Sequence, residues 1–449
     1  MARLLGRLPE SRRRFPANSR IAIVGAGISG MTAASSLIKK GYRRITLFEA
    51  SDRIGGKVES VQIDGQWVEL GAAWVLRSSK ALYRMHLGGG GPKLRPMPHK
   101  LCIAEAPGSS ESWLPLEKYW RASPLEVAKG IWAFNRLIRR PGFRCIFQPG
   151  FYDQHRDLSF TMAEFAAAHG FGAIIEPFQA VLYANGYGAM TSIPALYHLK
   201  LIAHFEKARL LRRLSLGMYP GAWMVERYGQ FWEDLVSQLI ARGLRLRLGC
   251  KVTSAVRETA LDPGRPIRII AGGKTEAFDL LIVATSPNQT LEYLDVTQEE
   301  RDLFGRVRYF DFHSVLFRAA GLDEDVCLAL RYNMIEARPG PLFCLYSWRS
   351  GSGLFLGYQS SHQGISTEEL DRKLAEDIAG LGGSLERVAA RRAWSYFPHV
   401  GVEDLSTGYY ERLNSLQGRS DTYFLGALFC FETTEHCAEF AEFLVERHF

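Results

Sequence analysis

Residues 21–30 read Ile-Ala-Ile-Val-Gly-Ala-Gly-Ile-Ser-Gly, a short apolar run followed at once by the spacing G-x-G-x-x-G. A helix-compatible run, 31–40, comes next, and a second apolar run, 45–48, leads into Glu49. Glu49 lies 19 residues after Gly30, close to the roughly 20 residues of a dinucleotide-binding fingerprint. A strand, a glycine turn, a helix and a second strand with an acidic end predict a bound dinucleotide rather than a purely structural turn.

Each residue type in this stretch serves the binding of a dinucleotide. Gly25 permits the tight turn from strand to helix, Gly27 lets the backbone approach a pyrophosphate, and Gly30 lets the helix pack on the sheet. The free N–H groups at the start of the helix then face the phosphates. Glu49 can accept hydrogen bonds from ribose hydroxyls.

Length and charge limit the other possibilities. A chain of 449 residues is too long for one core, so we expect two domains. The net charge of +8 favours anionic ligands or acidic surfaces. The basic residues are spread out, however, and no nucleic-acid motif accompanies them, so we expect no nucleic-acid partner.

Cysteine usage and hydropathy indicate the compartment. The seven cysteines are widely spaced and odd in number, which favours reduced thiols and a cytoplasmic location. They form no C-x-x-C pair or Cys/His cluster, so no metal site is predicted. No run reaches the roughly 18 apolar residues of a membrane span. We interpret the arginine-rich residues 1–20 as a mobile basic tail rather than a transit peptide or membrane arm.

Residues 113–215 read mainly as helices. Two of them, 125–140 and 195–214, combine apolar positions at helical spacing with several Lys and Arg residues. The simpler interpretation is a surface helix with one buried face and a solvated basic face. The alternative is a face toward a membrane or an entrance for acidic substrates, so a peripheral membrane contact remains open.

Further elements complete the pattern. Asp64-Gly65 is a strong turn signal between two strand candidates, 58–63 and 66–70. Residues 278–285 form a buried-strand run. A last strand at 423–425 and a helix at 432–448 close the chain.

Four stretches together resemble the flavin-containing amine oxidase superfamily, which includes amine oxidases, phytoene-type desaturases and fatty-acid double-bond isomerases. They are Gly25–Glu49, Arg53-Ile54-Gly55-Gly56-Lys57, the strand 279–285 with Ser286-Pro287, and 423–426 with the helix that follows. A closer similarity to the polyunsaturated fatty-acid isomerase and phytoene-desaturase side rests on Gly186-Tyr187-Gly188, 193–197, 396–400, 408–410 and 416–418. Lys57 in place of arginine also fits that side.

The resemblance implies an α/β fold: a discontinuous, GR2-like Rossmann-type FAD-binding domain with an inserted α+β substrate domain. We assign residues 1–85, 221–290 and 385–449 to the FAD-binding domain. Residues 86–220 and 291–384 then form the substrate-binding domain.

The resemblance also implies which residues bind FAD. Glu49 would hold the adenosine ribose, Ser29 and Arg53 would lie near the pyrophosphate, and Val252 would lie against the adenine. For Arg53 the alternative is a surface turn residue, and for Trp74 it is core packing. The full predicted cofactor set is Gly25, Gly27, Ser29, Gly30, Glu49, Arg53, Gly55, Gly56, Lys57, Gly71, Ala72, Ala73, Trp74, Val252, Gly426 and Ala427.

Three departures from the family pattern refine this reading. Residues 394–398 contain no cysteine where some amine oxidases attach the flavin covalently, so we expect non-covalent FAD. The strand 310–317 lacks the lysine that many amine oxidases place near flavin N5. Ala427 stands where the family usually has an acidic residue at the ribityl chain, and a backbone contact or Glu432 could take its place.

The family's shared step is hydride transfer to the flavin from a C–H bond next to an alkene or a nitrogen. Without the lysine, we predict an apolar unsaturated substrate that is isomerised or desaturated. Tyr396 and Phe429 are expected to face the flavin, and His313 to act near N5. The alternatives are a C–N oxidase and a non-catalytic FAD-binding protein, and the oligomeric state stays undetermined.

Overall fold

The computed structural model describes residues 15–76, 80–85, 91–96, 100–119, 122–151, 156–206, 222–257, 266–335, 340–361 and 365–449. Its strands are β1 Arg20–Val24, β2 Arg44–Phe48, β3 Ser60–Ile63, β4 Gln66–Glu69, β5 Trp74–Leu76, β6 Lys93–Pro96, β7 Lys100–Ala104, β8 Leu114–Pro115, β9 Ala222–Glu226, β10 Arg245–Arg247, β11 Val252–Arg257, β12 Ile267–Ala271, β13 Lys274–Phe278, β14 Leu280–Val283, β15 Arg308–Ala320, β16 Val326–Leu330, β17 Leu342–Ser347, β18 Leu354–Ser361, β19 Ser384–His399 and β20 Thr422–Phe424. Its helices are α1 Ile28–Lys39, α2 Lys80–Met85, α3 Pro124–Ile138, α4 Met162–Ala168, α5 Gly172–Ala184, α6 Ala195–Glu206, α7 Tyr228–Ile240, α8 Pro287–Tyr293, α9 Gln298–Gly305, α10 Thr367–Gly380, α11 Val402–Ser406, α12 Tyr409–Asn414, α13 Ala427–Cys430 and α14 Thr434–His448.

A five-stranded parallel sheet in the order β10-β2-β1-β14-β20 forms the first layer. Val24 of β1 lies opposite Phe48 of β2 and Val283 of β14. The chain leaves β1 through α1 to β2 on one side, while β14 lies on the other side. The carboxyl ends of β1 and β14 therefore form a switch point of the kind at which parallel α/β sheets bind ligands. This confirms the predicted Rossmann-type unit.

The hairpin predicted at Asp64-Gly65 is confirmed. Ile63 of β3 lies opposite Gln66 of β4, so the connection is a two-residue turn. Asp64 has φ 49 and Gly65 has φ 75, both in the left-handed region that such turns require.

A seven-stranded sheet in the order β19-β15-β18-β17-β16-β7-β8 forms the second layer. Its long strands β15 and β19 pair antiparallel, with Phe310 opposite Tyr396 and Phe312 opposite Trp394. Strand β19 thus joins residues 385–399, which the sequence groups with the FAD-binding segments, to this second sheet. Pairing alone does not delimit domains, and the proposed division of the chain stays a prediction.

The helical middle of the chain is confirmed by α3 to α6. Helix α6 is buried at every position from Ala195 to Ala203, so the predicted solvated basic face is wrong there. Residues 207–214 of that prediction lie outside the described part. Among the described residues, none of the helices has both the length and the apolar character to cross a bilayer.

Candidate active site

The glycine turn between β1 and α1 has the geometry that the fingerprint predicts. Gly25 has φ +106, and a Cβ on Gly30 would lie 2.0 Å from the Gly25 carbonyl oxygen, so only glycine fits at both positions. A Cβ on Gly27 would meet only the Cα of Gly56, 4.0 Å away. Packing within the protein thus does not require glycine at position 27, and the space it leaves is open to a ligand.

Glu49 stabilises this turn through hydrogen bonds to its carboxylate. One carboxylate oxygen accepts a hydrogen bond from the Ala26 N–H at 2.8 Å, and the other accepts from Ser51 N–H at 3.0 Å and Ser51 Oγ at 2.8 Å. The Glu49 carbonyl accepts from Cys250 N–H at 2.8 Å, which brings the buried Val252 to the same end of the sheet. The predicted ribose and adenine residues are therefore neighbours.

The loop formed by residues 53–57, which we call the Gly-Gly loop, lies directly against the glycine turn. The Gly55 N–H donates to the Ala26 carbonyl at 2.9 Å. Gly56 has φ +59, and a Cβ there would lie 3.1 Å from the Cα of Gly27. Two backbones without side chains thus face each other, and a Cβ on either would narrow the space between them.

Arg53 shapes this loop from within. Its guanidinium donates to the Val58 carbonyl at 3.0 Å and the Gly56 carbonyl at 2.9 Å, and it forms an ion pair with Glu59 at 2.9 Å. The side chain is thus engaged with its own loop. Its predicted place near a pyrophosphate stays a prediction.

These residues fit the phosphates of a dinucleotide. Helix α1 begins after Gly27 without a side-chain cap and has no acidic residue in its first turn, and Ser29 is buried within that turn. Uncapped N–H groups and the positive end of the helix dipole favour an anion there. The open space at Gly27 lies at this same end of the helix.

A cavity lies next to the Gly-Gly loop. It contains about 880 Å³ of empty space, part of which is open to solvent. The predicted segment Gly71–Trp74 lines it, as do Lys57 and Tyr396. The remaining lining residues are Ile28, Val58, Leu70, Asn185, Tyr187, Phe312, Tyr358, Trp394, Glu432, Thr433, Thr434 and Cys437. The structure therefore brings together residues that are more than 370 positions apart in the sequence.

Tyr396 is fixed by a chain of hydrogen bonds. Its hydroxyl donates to the Tyr187 hydroxyl at 3.1 Å, and that hydroxyl donates to the Glu432 carbonyl at 3.0 Å. The Tyr396 ring stacks on Phe312 with centroids 4.9 Å apart. Burial raises the pKa of both phenols, so both stay neutral and act as hydrogen-bond donors rather than bases.

Lys57 and Glu432 form an ion pair at the cavity wall. The Glu432 carboxylate also accepts the Phe397 N–H, and the Lys57 ammonium lies 5.3 Å from the centroid of the Tyr396 ring. Phe397 has φ 53 and Phe431 has φ 108. Positive φ at two phenylalanines is strained, and such strain concentrates at functional sites.

The structure corrects the role expected for His313. Successive side chains of a strand point to opposite faces, and Phe312 of β15 lines the cavity, so His313 points away from it. Its Nε2 lies 2.8 Å from Ser361 Oγ, and burial lowers its pKa, which favours a neutral ring. Ser314 occupies the cavity-side face instead, where it donates to the Leu70 carbonyl.

Phe429 also does not line the cavity, contrary to the expectation that it faces the flavin. It is buried in α13, and its ring lies parallel to those of Phe424 and Phe440, with centroids 6.2 and 6.1 Å away. These contacts are core packing. The neighbouring Gly426 has φ +114 with open space where a Cβ would be, and Ala427 is half-buried.

Asn185, Tyr358 and Trp394 are among the cavity residues that the sequence did not indicate as site residues. Tyr358 and Trp394 lie on β18 and β19, on either side of β15, and face the cavity through strand alternation. The aromatic pairs of these strands could have indicated them only once the register of the seven-stranded sheet was known.

Comparisons with known proteins agree with this geometry. The profile of the family described as flavin containing amine oxidoreductase matches residues 28–86. The FAD-dependent oxidoreductase dpasF of Apiospora sacchari is 23% identical over 91% of this chain and 88% of its own length. A polyenoic fatty acid isomerase of Ptilota filicina is 22% identical over 96% of this chain and 95% of its own. The crystal structure of a CLA-producing fatty acid isomerase from P. acnes superimposes with a TM-score of 0.85 at 22% identity, covering 97% of this chain and 100% of that one.

These findings confirm the resemblance to the flavin-containing amine oxidase superfamily. The likeness to the solved isomerase shows a shared fold along nearly the whole chain. The family model covers residues 28–86, and the relatives that span most of the chain are 22–23% identical, so the chain is similar to the enzymes of this superfamily.

Proposed function

We propose that this chain, an enzyme related to the flavin-containing amine oxidoreductases, abstracts hydride from an allylic C–H bond of an apolar unsaturated small molecule. The product would carry a shifted or a new double bond, as in fatty-acid or natural-product biosynthesis. One observation carries the proposal: of the described lining residues, only Lys57 and Glu432 are charged, and they are paired with each other. The sixteen remaining lining residues are neutral, and six of them are aromatic.

Such a wall suits a substrate without charge at its reacting carbon. Aromatic faces carry negative potential that stabilises positive charge, which develops on an allylic carbon as hydride departs. The neutral phenols of Tyr187 and Tyr396 cannot act as bases at neutral pH, which disfavours initial proton abstraction. A bound flavin supplies the hydride acceptor.

The chain's own residues would hold the substrate and exclude water. Trp74 Nε1 donates to the Tyr346 hydroxyl at 3.2 Å, and that hydroxyl lies 3.1 Å from the Tyr358 hydroxyl. This network fixes the Trp74 and Tyr358 side chains on the wall. A rigid aromatic wall orients an apolar chain and keeps water from a cationic intermediate.

We also propose that the cofactor is FAD bound without a covalent bond. Of the described lining residues, Cys437 is the one thiol. Acid precipitation of the purified protein should release all the flavin into the supernatant, as chromatography and the mass of the released cofactor would show. Yellow colour that stays with the precipitate in the wild type but not in Cys437→Ser would contradict non-covalent binding.

We propose a cytoplasmic location, because the seven cysteines are widely spaced, odd in number and without a C-x-x-C pair, a pattern typical of proteins from a reducing compartment. The oligomeric state is left open.

The function is tested by supplying candidate substrates in air and following both product and oxygen. A polyunsaturated fatty acid such as linoleate should give an isomerised or further desaturated product. Oxygen uptake separates the two outcomes, because isomerisation consumes none. If aliphatic and aromatic amines are oxidised with release of peroxide and unsaturated lipids are left unchanged, the proposal fails.

The second candidate is oxidation of a C–N bond in an amine or an amino-acid-derived intermediate. Glu432 favours it, because a carboxylate at the cavity wall could hold a substrate ammonium if Lys57 gave up its place. In that case Glu432→Gln should raise the KM for the amine strongly. For an apolar substrate the same variant should change KM little.

A further inference from the structure

Helix α3 has a well-defined beginning and a well-packed inner face. Ser123 and Glu126 form a capping box, with Pro124 in the first turn. Gly130, Phe134 and Leu137 are buried. Gly130 allows a close approach to α5, since a Cβ there would lie 2.9 Å from a methyl carbon of Ile174. The helix is therefore held firmly against the body of the protein.

The outer face of α3 is unusually apolar. Leu125 is 63% exposed and Trp132 is 64% exposed, the two highest values among the exposed large apolar side chains of the described residues. They are seven positions apart, which is two helical turns, so they lie on the same face. Two large apolar side chains thus project from one stripe of a rigid helix.

Cations surround this stripe. Lys129, Arg136, Arg139 and Arg140 are exposed, and the Arg136 guanidinium lies 5.3 Å from the centroid of the Trp132 ring. Residues 127–140 contain no Asp or Glu. We call the set of Leu125, Lys129, Trp132, Arg136, Arg139 and Arg140 the α3 face.

We propose that the α3 face docks on an anionic lipid surface. Trp132 and Leu125 enter the boundary between headgroups and acyl chains, while the cations contact lipid phosphates. Trp suits this depth because its ring is apolar and its N–H is polar. A second copy of the chain is a poor occupant, because a symmetric contact would bring four cations against four.

This surface connects to the cavity through α5. Helix α3 packs on α5, and the residues just after α5 include Asn185 and Tyr187, which line the cavity. Docking through α3 would hold the cavity-bearing body near the bilayer, where apolar molecules partition. The docking itself does not depend on the proposed function, since it is measured as binding.

The test uses the full-length, flavin-loaded protein and sedimentation with lipid vesicles. Vesicles of phosphatidylcholine with about 30% phosphatidylserine present a negative surface, and pure phosphatidylcholine vesicles do not. We expect binding to the anionic vesicles at least about tenfold stronger than to neutral ones, and weakened severalfold at about 0.5 M salt. Absence of binding to the anionic vesicles at low salt would overturn the proposal.

Two variants and one control locate the surface. Leu125→Ala with Trp132→Ala should lower the vesicle affinity about tenfold or more, and Lys129→Gln with Arg136→Gln and Arg139→Gln should remove the preference for anionic lipid. The control, Ile240→Ala with Leu248→Ala, changes side chains that are 48% and 42% exposed elsewhere and should bind as the wild type does.

All these side chains are exposed, so we expect unchanged thermal midpoints and flavin content, which verify that the variants fold. Wild-type affinity in the α3 double variant would contradict the proposal. So would light scattering that shows a dimer in the wild type and a monomer in the α3 variant without any vesicle binding.

Discussion

At the scale of single residues, the site depends on glycines, which leave space for a ligand or for the backbone, and on a charged side chain that is neutralised by an ion pair. At Gly27 a Cβ would have only the Gly56 Cα, 4.0 Å away, as a neighbour among the described residues, whereas at Gly30 it would lie 2.0 Å from the Gly25 carbonyl oxygen. Glu432 joins Lys57 to the backbone of Phe397 at the cavity wall. The spacing of the glycines in the sequence was sufficient to predict the roles of Gly27 and Gly30. The sequence offered Glu432 only as a substitute for the acid absent at Ala427, because the ion pair joins positions 375 residues apart.

Gly27→Val should fold but lose the flavin. The nearest atom to a Cβ at this position is 4.0 Å away, so the valine side chain fits within the folded protein. Its methyl groups would, however, occupy the space that we propose for the phosphates of the cofactor. The ratio of absorbance near 450 nm to that at 280 nm in the purified variant measures the loss. Gly305→Val is the control, because a Cβ there also meets nothing within 4 Å. A Gly27→Val protein that purifies yellow would show that the phosphates lie elsewhere.

Glu432→Ala should lower the free energy of unfolding by about 1–3 kcal/mol, because the Phe397 N–H loses its acceptor. Glu432→Gln should lose less, since its amide oxygen can still accept that hydrogen bond. Urea unfolding of the two variants, beside the exposed-pair control Glu299→Gln, measures the difference. Equal losses in Glu432→Ala and Glu299→Gln would mean that the Phe397 contact contributes nothing.

At the scale of elements, strand alternation decides which residues reach the cavity. The expectation for His313 failed because it identified the right strand and the wrong face. Asp311 is exposed and His313 is half-buried, whereas Phe312 between them is buried, so the alternation of polar and apolar residues already indicated that His313 lies on the more polar face. The prediction that Phe429 faces the flavin was wrong for a different reason. Aromatic residues near a cofactor-binding segment are as common in the hydrophobic core as at the site. The hairpin at Asp64-Gly65 succeeded because its turn is specified locally.

Phe312→Ala and His313→Ala form a matched pair on adjacent positions of β15. Phe312→Ala should shift the visible absorption bands of the bound flavin and weaken binding of an apolar ligand, because it removes a ring from the cavity wall. His313→Ala should leave both unchanged, since its side chain lies on the opposite face. A larger spectral shift from His313→Ala than from Phe312→Ala would reverse our assignment of the two faces.

At the scale of the whole molecule, the parallel sheet, the glycine turn and the helical middle could be predicted, because short stretches of the sequence indicate each of them. The seven-stranded sheet could not, because it pairs β7 with β16 and β15 with β19 across long stretches of chain. The cavity lies between the start of α1, the loop at Lys57, the strands β15, β18 and β19 of the seven-stranded sheet, and the C-terminal segment around Glu432. Its composition therefore followed from the tertiary structure rather than from any single motif.

Global stability should depend on pH through two buried carboxyls. Burial raises the pKa of Glu69 to about 7 and that of Glu435 to about 7, whereas both titrate near 4.5 when unfolded. Between these values the folded state binds more protons than the unfolded state, so the free energy of unfolding falls as pH rises from about 4.5 to about 7. Each group contributes on the order of 3 kcal/mol to this fall.

Thermal midpoints of the wild type and Glu69→Gln between pH 5 and pH 8 isolate the Glu69 contribution. The wild type should lose stability relative to the variant as pH rises through this window, and the difference should level off above it. A difference that is constant across the window would mean that Glu69 titrates normally in the folded protein.

Anaerobic mixing with a deuterated substrate distinguishes hydride abstraction at an allylic carbon from oxidation of a C–N bond. The flavin-loaded protein is mixed with linoleate, either unlabelled or deuterated at the methylene between its double bonds, and both flavin absorbance and product are followed. We predict that the labelled substrate reacts severalfold more slowly. Its deuterium should reappear on carbon in an isomerised product, whereas a desaturated product should form together with bleaching of the flavin absorbance. Reduction of the flavin by an amine, with linoleate recovered unchanged, would show that the enzyme oxidises C–N bonds and does not abstract hydride from an allylic carbon.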